Sequence, residues 1–471
     1  MDTGIVISDP KEKQYFNKEL CFSQSREGFG PTDQEWGFVT VRENAHIFWW
    51  LHYTTADAPA VERPLVIWLQ GGPGGSSTGF GNFGELGPLD ENLNVRNTSW
   101  DRDVNVLFVD NPVGTGYSYV DIRDALTTTN RQIAEDFVEF LKGFYQAVPS
   151  FKEVPVYIFC ESYGGKMTAE IALVLYQEIQ KGNIESKLKG IGLGDSWISP
   201  VDSVLTWAPY LLNIGAVDQN GFEAISQLAQ QTKAAVDEGN FLAATDLWGQ
   251  TEMSVYQYTY GVDFYNILRK ISSSYKAHDS RSRLQKPGLE VRDSTDDKIN
   301  VLMNGRVKKA LNISQTWDSS FVFEYLEEDF MKPVTDIVEE LLNTTDIKIA
   351  IYNGQLDLIV DTPGTMKWVN NLRWEGKDEW DATIRNGFSV DYYFEGNVKK
   401  SGNLAVYWVD RSGHMFPEVT RRRVRCLDQG NLSQESVSDH SREDPTINKG
   451  DTVANIAISK NFRILRVERY P

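Results

Sequence analysis

The most constraining feature of the sequence is a ten-residue stretch, Val156-Tyr-Ile-Phe-Cys-Glu-Ser-Tyr-Gly-Gly165. Val156 to Phe159 is an apolar, β-favouring run, and Lys166 to Gln180 carries Met167, Ile171, Leu173, Leu175 and Ile179 at near-helical spacing. Between them the chain must turn abruptly through Glu161-Ser162-Tyr163-Gly164-Gly165. Strand, tight turn with a serine at its tip, then helix is the layout of a nucleophile elbow. Such a turn holds the Ser162 hydroxyl clear of a sheet and aims the first N–H groups of the helix at a reacting carbonyl. The match to G-x-S-x-G is incomplete. Gly164 fills the second glycine position, but Cys160 stands two residues before the serine. Strand and helix approach closely there, and cysteine is small enough for the place. Read alone, E-S-Y-G-G describes a loop serine equally well, so the case rests on the rest of the chain.

The neighbouring elements define a fold class. Gly37 to Val41 and His46 to Tyr53 read as two strands joined by a turn at Arg42 to Asn44. Pro64 to Leu69 and Val104 to Val109 are continuous apolar runs, as in strands buried on both faces. The first runs into Gln70-Gly-Gly-Pro-Gly-Gly-Ser-Ser77, the second into Asp110-Asn-Pro-Val-Gly-Thr-Gly-Tyr117. A helix is predicted around Ile133 to Ala147, with Phe137, Leu141, Phe144 and Tyr145 on one face, and further strands at Leu188–Leu193, Ile347–Tyr352 and Leu404–Val409. Strands alternating with helices imply a mostly parallel central sheet flanked by helices, with the site at the carboxyl ends of the strands. From Pro200 to Asn300 the pattern changes. Phe222, Ile225 and Leu228 mark one helix, Phe241 to Tyr265 more helix, and Ala277 to Asp297 a polar loop. The region reads as a mainly helical insertion over the sheet. Beyond Pro417, a basic cluster at Arg421–Arg425 precedes a polar, solvated run from Leu427 to Lys449, with a short strand expected at Ile456–Val467.

Composition narrows the function classes. The chain has 471 residues and a net charge of −19, which opposes binding to nucleic acid or to an anionic membrane. Its apolar runs are too short to span a bilayer, and the polar segment Met1–Phe22 does not read as a secretory signal. Cys21, Cys160 and Cys426 are too widely separated for a disulfide framework or a metal-ligand motif, and the chemistry read below calls for no metal or cofactor. Sequons begin at Asn97, Asn312, Asn343 and Asn431.

Acyl transfer by serine requires a base beside it, a carboxylate behind the base and an oxyanion hole. Of the five histidines, His46 and His52 fall in an early strand and read as structural, while His278 and His440 fall in polar segments. His414 alone follows a buried strand, in Ser412-Gly-His-Met415. Asp357 lies just past another strand, in Asn353-Gly-Gln-Leu-Asp357, nearer the strand end than Asp361. The chain order Ser, Asp, His is that of α/β-hydrolases.

Trp68-Leu-Gln-Gly-Gly-Pro-Gly-Gly-Ser-Ser77, Gly84-Glu-Leu-Gly-Pro88, Asn111-Pro-Val-Gly-Thr-Gly-Tyr-Ser-Tyr119, Glu161–Gly165, Gly194-Asp-Ser-Trp-Ile-Ser-Pro200, Asn353–Asp357 and Gly413-His-Met415 occur in this order from about residue 36 to Pro417. Together they resemble the serine carboxypeptidase family of α/β-hydrolases, and most of all its retinoid-inducible branch. The resemblance implies Ser162 as nucleophile, His414 as general base and Asp357 as the carboxylate orienting it. It implies the N–H groups of Gly72 and Tyr163 as oxyanion donors, with Gly71 beside them. In the family the substrate's α-carboxylate is bound by an Asn before two glycines, two glutamates and a Trp. Trp68, Glu85 and Glu161 match that set, and Gln70 replaces the Asn, keeping amide donors on a longer arm. The resemblance makes Tyr117 and Tyr119 candidates for the acyl-side pocket, and Met415 fits either the leaving-residue pocket or a packed position equally well.

Three departures stand out. Cys160 replaces a smaller residue, Gly75 stands where most members have a cysteine, and Phe416 to Arg423 lacks the apolar face of the helix that follows the histidine in the family. The expected organisation is an α/β-hydrolase core (31–200 and 301–417), an inserted helical cap (201–300) and an atypical polar tail (418–471). The expected activity is serine-type removal of C-terminal residues from peptides and proteins, favoured at acid pH. An acyltransferase of the same fold and a non-catalytic homologue are the alternatives. The partners are peptide C-termini rather than nucleic acid or membrane, a homodimer stays open, and the resemblance implies a secreted or lysosomal/vacuolar location.

Overall fold

A computed structural model describes residues 28–271, 294–390 and 393–415. The polar loop, the basic cluster and the C-terminal strand expected above fall wholly or largely outside these residues.

Strands β1 (Gln34–Arg42), β2 (Ala45–His52), β3 (Leu65–Leu69), β4 (Asn105–Val109), β5 (Tyr119–Val120), β6 (Pro155–Glu161), β7 (Lys187–Gly194), β8 (Lys348–Gly354), β9 (Asn386–Val390), β10 (Tyr393–Ser401) and β11 (Leu404–Val409) form one sheet. Its order is β1-β2-β4-β3-β6-β7-β8-β11-β10-β9, with β5 paired to β2. The central strands β4, β3, β6, β7, β8 and β11 run parallel, and antiparallel strands flank them on both sides. The two-residue β5 and the edge strands β9 and β10 were missed in the sequence. Asn386–Ser401 carries the β-favouring Phe388, Val390, Tyr392, Tyr393, Phe394 and Val398, interrupted by Gly387, Asp391 and Gly396.

Central strands bury side chains on both faces. In β3, Leu65, Ile67 and Leu69 join the main core, while Val66 and Trp68 join a second core with Trp100, Phe108 and Phe159. Helix α1 (Asn130–Ala147) covers the first face. Thr129 caps it by accepting from Gln132 N, and Ile133, Phe137, Phe140, Leu141 and Phe144 form its buried stripe. Beside it lies α2 (Gly164–Gln180), in contact with α1, β6 and β7.

The chain then leaves the sheet through α3 (Pro200–Asn213), α4 (Gln219–Asp237) and α5 (Phe241–Thr259). The predicted helix over 241–265 ends six residues early, at Thr259. Tyr260 takes a left-handed conformation there, and Thr259 Oγ1 accepts from Val262 N. Next come α6 (Ser294–Leu302), the single turn α7 (Lys308–Ala310), α8 (Val322–Phe330) and α9 (Thr335–Thr344), then α10 (Thr362–Asn371) and α11 (Lys377–Ala382) between the last strands.

Candidate active site

The carboxyl ends of the parallel strands converge on one edge. There β3 delivers Gln70 to Gly72, β6 delivers Ser162, β7 Asp195, β8 Asp357 and β11 His414. A parallel sheet aligns strand ends, so residues far apart in sequence meet.

The elbow is sharp. Ser162 has φ 61, a strained conformation for a residue with a Cβ. It is pinned on both sides: Ser162 N donates to the Gly194 carbonyl (3.0 Å), and its own carbonyl accepts from Gly165 N and Trp197 N (2.9 Å each). A Cβ on Gly164 would lie 2.5 Å from the Leu69 carbonyl oxygen and 3.1 Å from Cys160 Cβ, so the helix comes that close to the strand. Cys160 fits because its Sγ faces the Gly192 carbonyl at 3.2 Å. Its thiol is fully buried and pushed up to about 11 by desolvation, which makes it an inert packing group.

The loop after β3 lies against the elbow. A Cβ on Gly71 would meet Ser162 Cβ at 2.5 Å and Tyr163 N at 3.0 Å, while Gly72 has φ +112. Among the described residues neither Gly72 N–H nor Tyr163 N–H is engaged in another hydrogen bond. Two unengaged donors beside a serine have the form of an oxyanion hole.

His414 Nδ1 lies 2.8 Å from Asp357 Oδ2, both side chains being buried. A carboxylate can only accept, so Nδ1–H donates and Nε2 is left as the basic nitrogen. The His414 N–H donates to the Tyr265 carbonyl (2.8 Å), and the Tyr265 ring packs edge-on to the imidazole at 5.1 Å. Desolvation pushes the Asp357 carboxyl well above the usual range, opposed by the N–H groups of Val360 and Ile359. Asp361, the other acid near this strand end, instead caps α10 through Gly364 N and accepts from Thr206 Oγ1 at 2.7 Å. Asp195, Asp357 and His414 each offer a ligand atom within 4.8 Å of the others. The imidazole's Nδ1 is already bonded to Asp357, so the cluster has the chemistry of a base with its carboxylates.

The four residues matched to the carboxylate-binding set also come together. Gln70 Nε2 donates to Glu85 Oε1 and Glu161 Oε1, both at 3.0 Å, and Trp68 Nε1 donates to Gln70 Oε1 at 2.7 Å. The Gln70 amide and the Trp68 indole are thus linked to one another and to the two glutamates. Both amide protons and the indole proton are used inside the network, so Gln70 holds the two glutamates in place. Tyr117 is buried against Phe48 and its hydroxyl donates to the Met303 carbonyl (2.5 Å), which makes it a core residue, and Tyr119 stacks on His46 at 4.5 Å. Met415 is half-buried next to His414. His46 and His52 have structural surroundings. His52 faces Thr32 and Asn82, and burial lowers it to about 3.

Four supports escaped the sequence reading. Arg96 donates to the carbonyls of Asn82, Gly87, Leu89 and Phe83, fixing the turn that carries Glu85. Asp110 accepts from Ser76, Thr78 and Tyr117, tying together the loops after β3 and β4. Asp329 of α8 accepts from the Tyr163 hydroxyl (2.9 Å) and pairs with the buried Lys166 of α2 (2.9 Å). Asp195 lies behind Asp357. None of these belongs to a periodic pattern; Arg96 acts across at most 14 residues, whereas Asp329 reaches Tyr163 across 166.

The sheet order and the serine elbow define an α/β-hydrolase. The family model described as serine carboxypeptidase matches residues 26–429, and the chain belongs to that family. It is 47% identical over 398 residues to the retinoid-inducible serine carboxypeptidase of Rattus norvegicus, covering 81% of this chain and 87% of the relative. It is 37% identical over 410 residues to serine carboxypeptidase-like 51 of Arabidopsis thaliana, covering 82% and 88%. Among solved structures, Kex1(delta)p, a prohormone-processing carboxypeptidase from Saccharomyces cerevisiae, shares the fold, with TM-score 0.71 and 20% identity over 84% of this chain and 91% of that one. The protein is a serine-type carboxypeptidase, a hydrolase acting on peptides.

Proposed function

We propose that the chain hydrolyses C-terminal residues of peptides through an acyl-enzyme on Ser162, with His414 as base, Asp357 behind it and the N–H groups of Gly72 and Tyr163 receiving the oxyanion. The observation that carries this reading is the meeting, at one sheet edge, of the strained Ser162 elbow, the two unengaged N–H groups and the His414–Asp357 pair. His414 takes the serine proton during attack and returns it to the leaving amine.

Specificity for a free C-terminus rests on Glu85 and Glu161, held side by side by Gln70. A substrate carboxylate can join two buried glutamates only if protons are shared among the three groups, because like charges at that distance cannot all ionise cheaply. Activity on free C-termini is therefore highest in mildly acid solution, consistent with a secreted or lysosomal/vacuolar site of action. The test is kcat/KM against pH for a peptide with a free C-terminus and its amide, in wild type and Glu161→Gln. The free peptide should be preferred at acid pH, the preference should narrow as pH rises, and Glu161→Gln should flatten the alkaline loss. A profile unmoved by the substitution, or no preference for the free terminus, refutes this assignment. Added alcohol tests the acyltransferase alternative, which requires ester rather than acid as the main product.

A further inference from the structure

Asp195 is a buried acid that the mechanism above leaves unused. It follows β7 directly, at φ 39, in the left-handed region. Its N–H donates to the Tyr352 carbonyl (2.9 Å), and its Oδ1 accepts from Asn353 Nδ2 (3.0 Å) and Gly354 N (2.8 Å). These bonds aim the carboxyl at the loop that carries Asp357. The same segment also grips the nucleophile, since Gly194 O and Trp197 N hold the two sides of the Ser162 backbone. No N–H or hydroxyl donor reaches Asp195 Oδ2 among the described residues, and the side chain is fully buried. Facing it are the carboxyl of Asp357 and the His414 imidazole, each offering an atom within 4.8 Å of the others.

Two ionised carboxylates cannot bond to each other, and burying both without a proton between them is costly. One proton resolves both problems. It cannot sit comfortably on Asp357, whose Oδ2 receives the His414 N–H and whose Oδ1 receives Val360 N (3.2 Å). Asp195 has no such stabilisation at Oδ2.

We propose that Asp195 is a positioning residue of the triad, held as a neutral acid whose Oδ2–H donates to Asp357. Asp195 thereby orients the Asp357 carboxylate toward His414 and keeps a single negative charge behind the imidazole. Desolvation and the neighbouring Asp357 both push the Asp195 carboxyl well above the usual range, while the bond from Asp195 works to lower Asp357. The other acids near Asp357 are Asp263, at the end of the α5 connection, and Asp361, already occupied at the α10 cap. Both add negative potential and strengthen the case for a retained proton.

The test uses the full chain and the second-order rate at which a fluorophosphonate probe labels Ser162, measured from pH 4 to pH 8. This readout needs the triad but no substrate C-terminus, so it is independent of the glutamate reading. Asp195→Asn replaces the O–H donor with an amide donor and leaves the charge unchanged. It should label within about threefold of wild type, with its acid limb superimposed on the wild-type limb. Asp195→Ala removes the donor and should label roughly tenfold to hundredfold more slowly at every pH, with probe affinity unchanged. If Asp195 were ionised, Asp195→Asn would delete a negative charge beside His414 and move the acid limb down by about one pH unit or more. That shift overturns the proposal. So does an Asp195→Ala variant as reactive as wild type, or an Asp195→Asn variant as slow as Asp195→Ala. Should Asp195→Ala fail to fold, the rate and acid limb of Asp195→Asn still decide.

Discussion

At the scale of single residues, reactivity depends on how few atoms are left uncommitted. Ser162 is held in a left-handed turn by three backbone hydrogen bonds, and that strain presents its hydroxyl. Ser162→Ala should abolish peptide hydrolysis by several orders of magnitude while leaving the thermal transition in place, because triad members act as a unit. Comparable turnover by the purified variant would remove the serine from the mechanism. Asp357 and Asp361 make a sharper comparison. Both are buried and both follow β8, yet one touches His414 and the other caps a helix. Asp357→Asn should lower kcat by roughly 10⁴-fold, as expected when the imidazole tautomer is no longer held. Asp361→Ala should act mainly on stability, by about 1 kcal/mol for a lost cap. Rates and urea midpoints for the two variants, measured side by side, would reveal a reversal of these roles.

At the scale of elements, the buried Lys166–Asp329 pair joins the nucleophile helix α2 to α8. The Tyr163 hydroxyl and Asn130 N also bind Asp329. Tyr163 stacks on Phe330, with ring planes 7° apart. The oxyanion residue is thus anchored at its ring by a helix that lies 166 positions away in sequence. Removing one partner of a buried pair leaves an uncompensated charge, so Lys166→Met should destabilise the chain by roughly 3–5 kcal/mol. Adding Asp329→Asn should restore part of that loss, and strictly additive effects in the double-mutant cycle would show that the pair is uncoupled. Burial lowers Lys166 to about 8 from 10.5. Between those values the unfolded chain binds a proton that the native one does not, so stability rises with pH across that window. Lys166→Met should abolish the rise.

At the scale of the whole molecule, two buried groups act in opposite pH directions. Glu252, on α5, is 1% exposed and is pushed up to about 8 by desolvation. The native chain keeps its proton where the unfolded one releases it, so this contribution is complete below about pH 4.5 and is lost as pH rises through 8. His52, lowered to about 3, works the other way: below about 6.5 the unfolded chain gains a proton that the native one refuses. Below pH 8 these two groups therefore place the stability maximum in mildly acid solution. Glu252→Gln should leave the melting temperature unchanged near pH 4.5 and raise stability by roughly 3 kcal/mol near pH 7. An identical pH dependence in wild type and variant would show that Glu252 does not set the alkaline side.

Local pattern alone was enough to place the central strands, α1, α2, the elbow and the chain order Ser162, Asp357, His414. Apolar periodicity and glycine-rich strand ends are short-range signals, written wherever the backbone must run through a core or turn at its edge. The edge strands β9 and β10 carry β-favouring residues interrupted by glycine and charge rather than a long apolar run, and the early end of α5 follows from a left-handed residue that propensity does not mark. What only the tertiary structure decided is which polar atoms are already taken. Gln70 and Trp68 have the right donors for a substrate carboxylate, yet their protons go to Glu85, Glu161 and Gln70 itself. The Tyr117 ring is buried and its hydroxyl is committed to the Met303 carbonyl. Asp195 reads as one letter of a motif and lies behind the acid of the triad. Hydrogen-bond partners across tens or hundreds of residues depend on strand order and register, and those are properties of the assembled sheet.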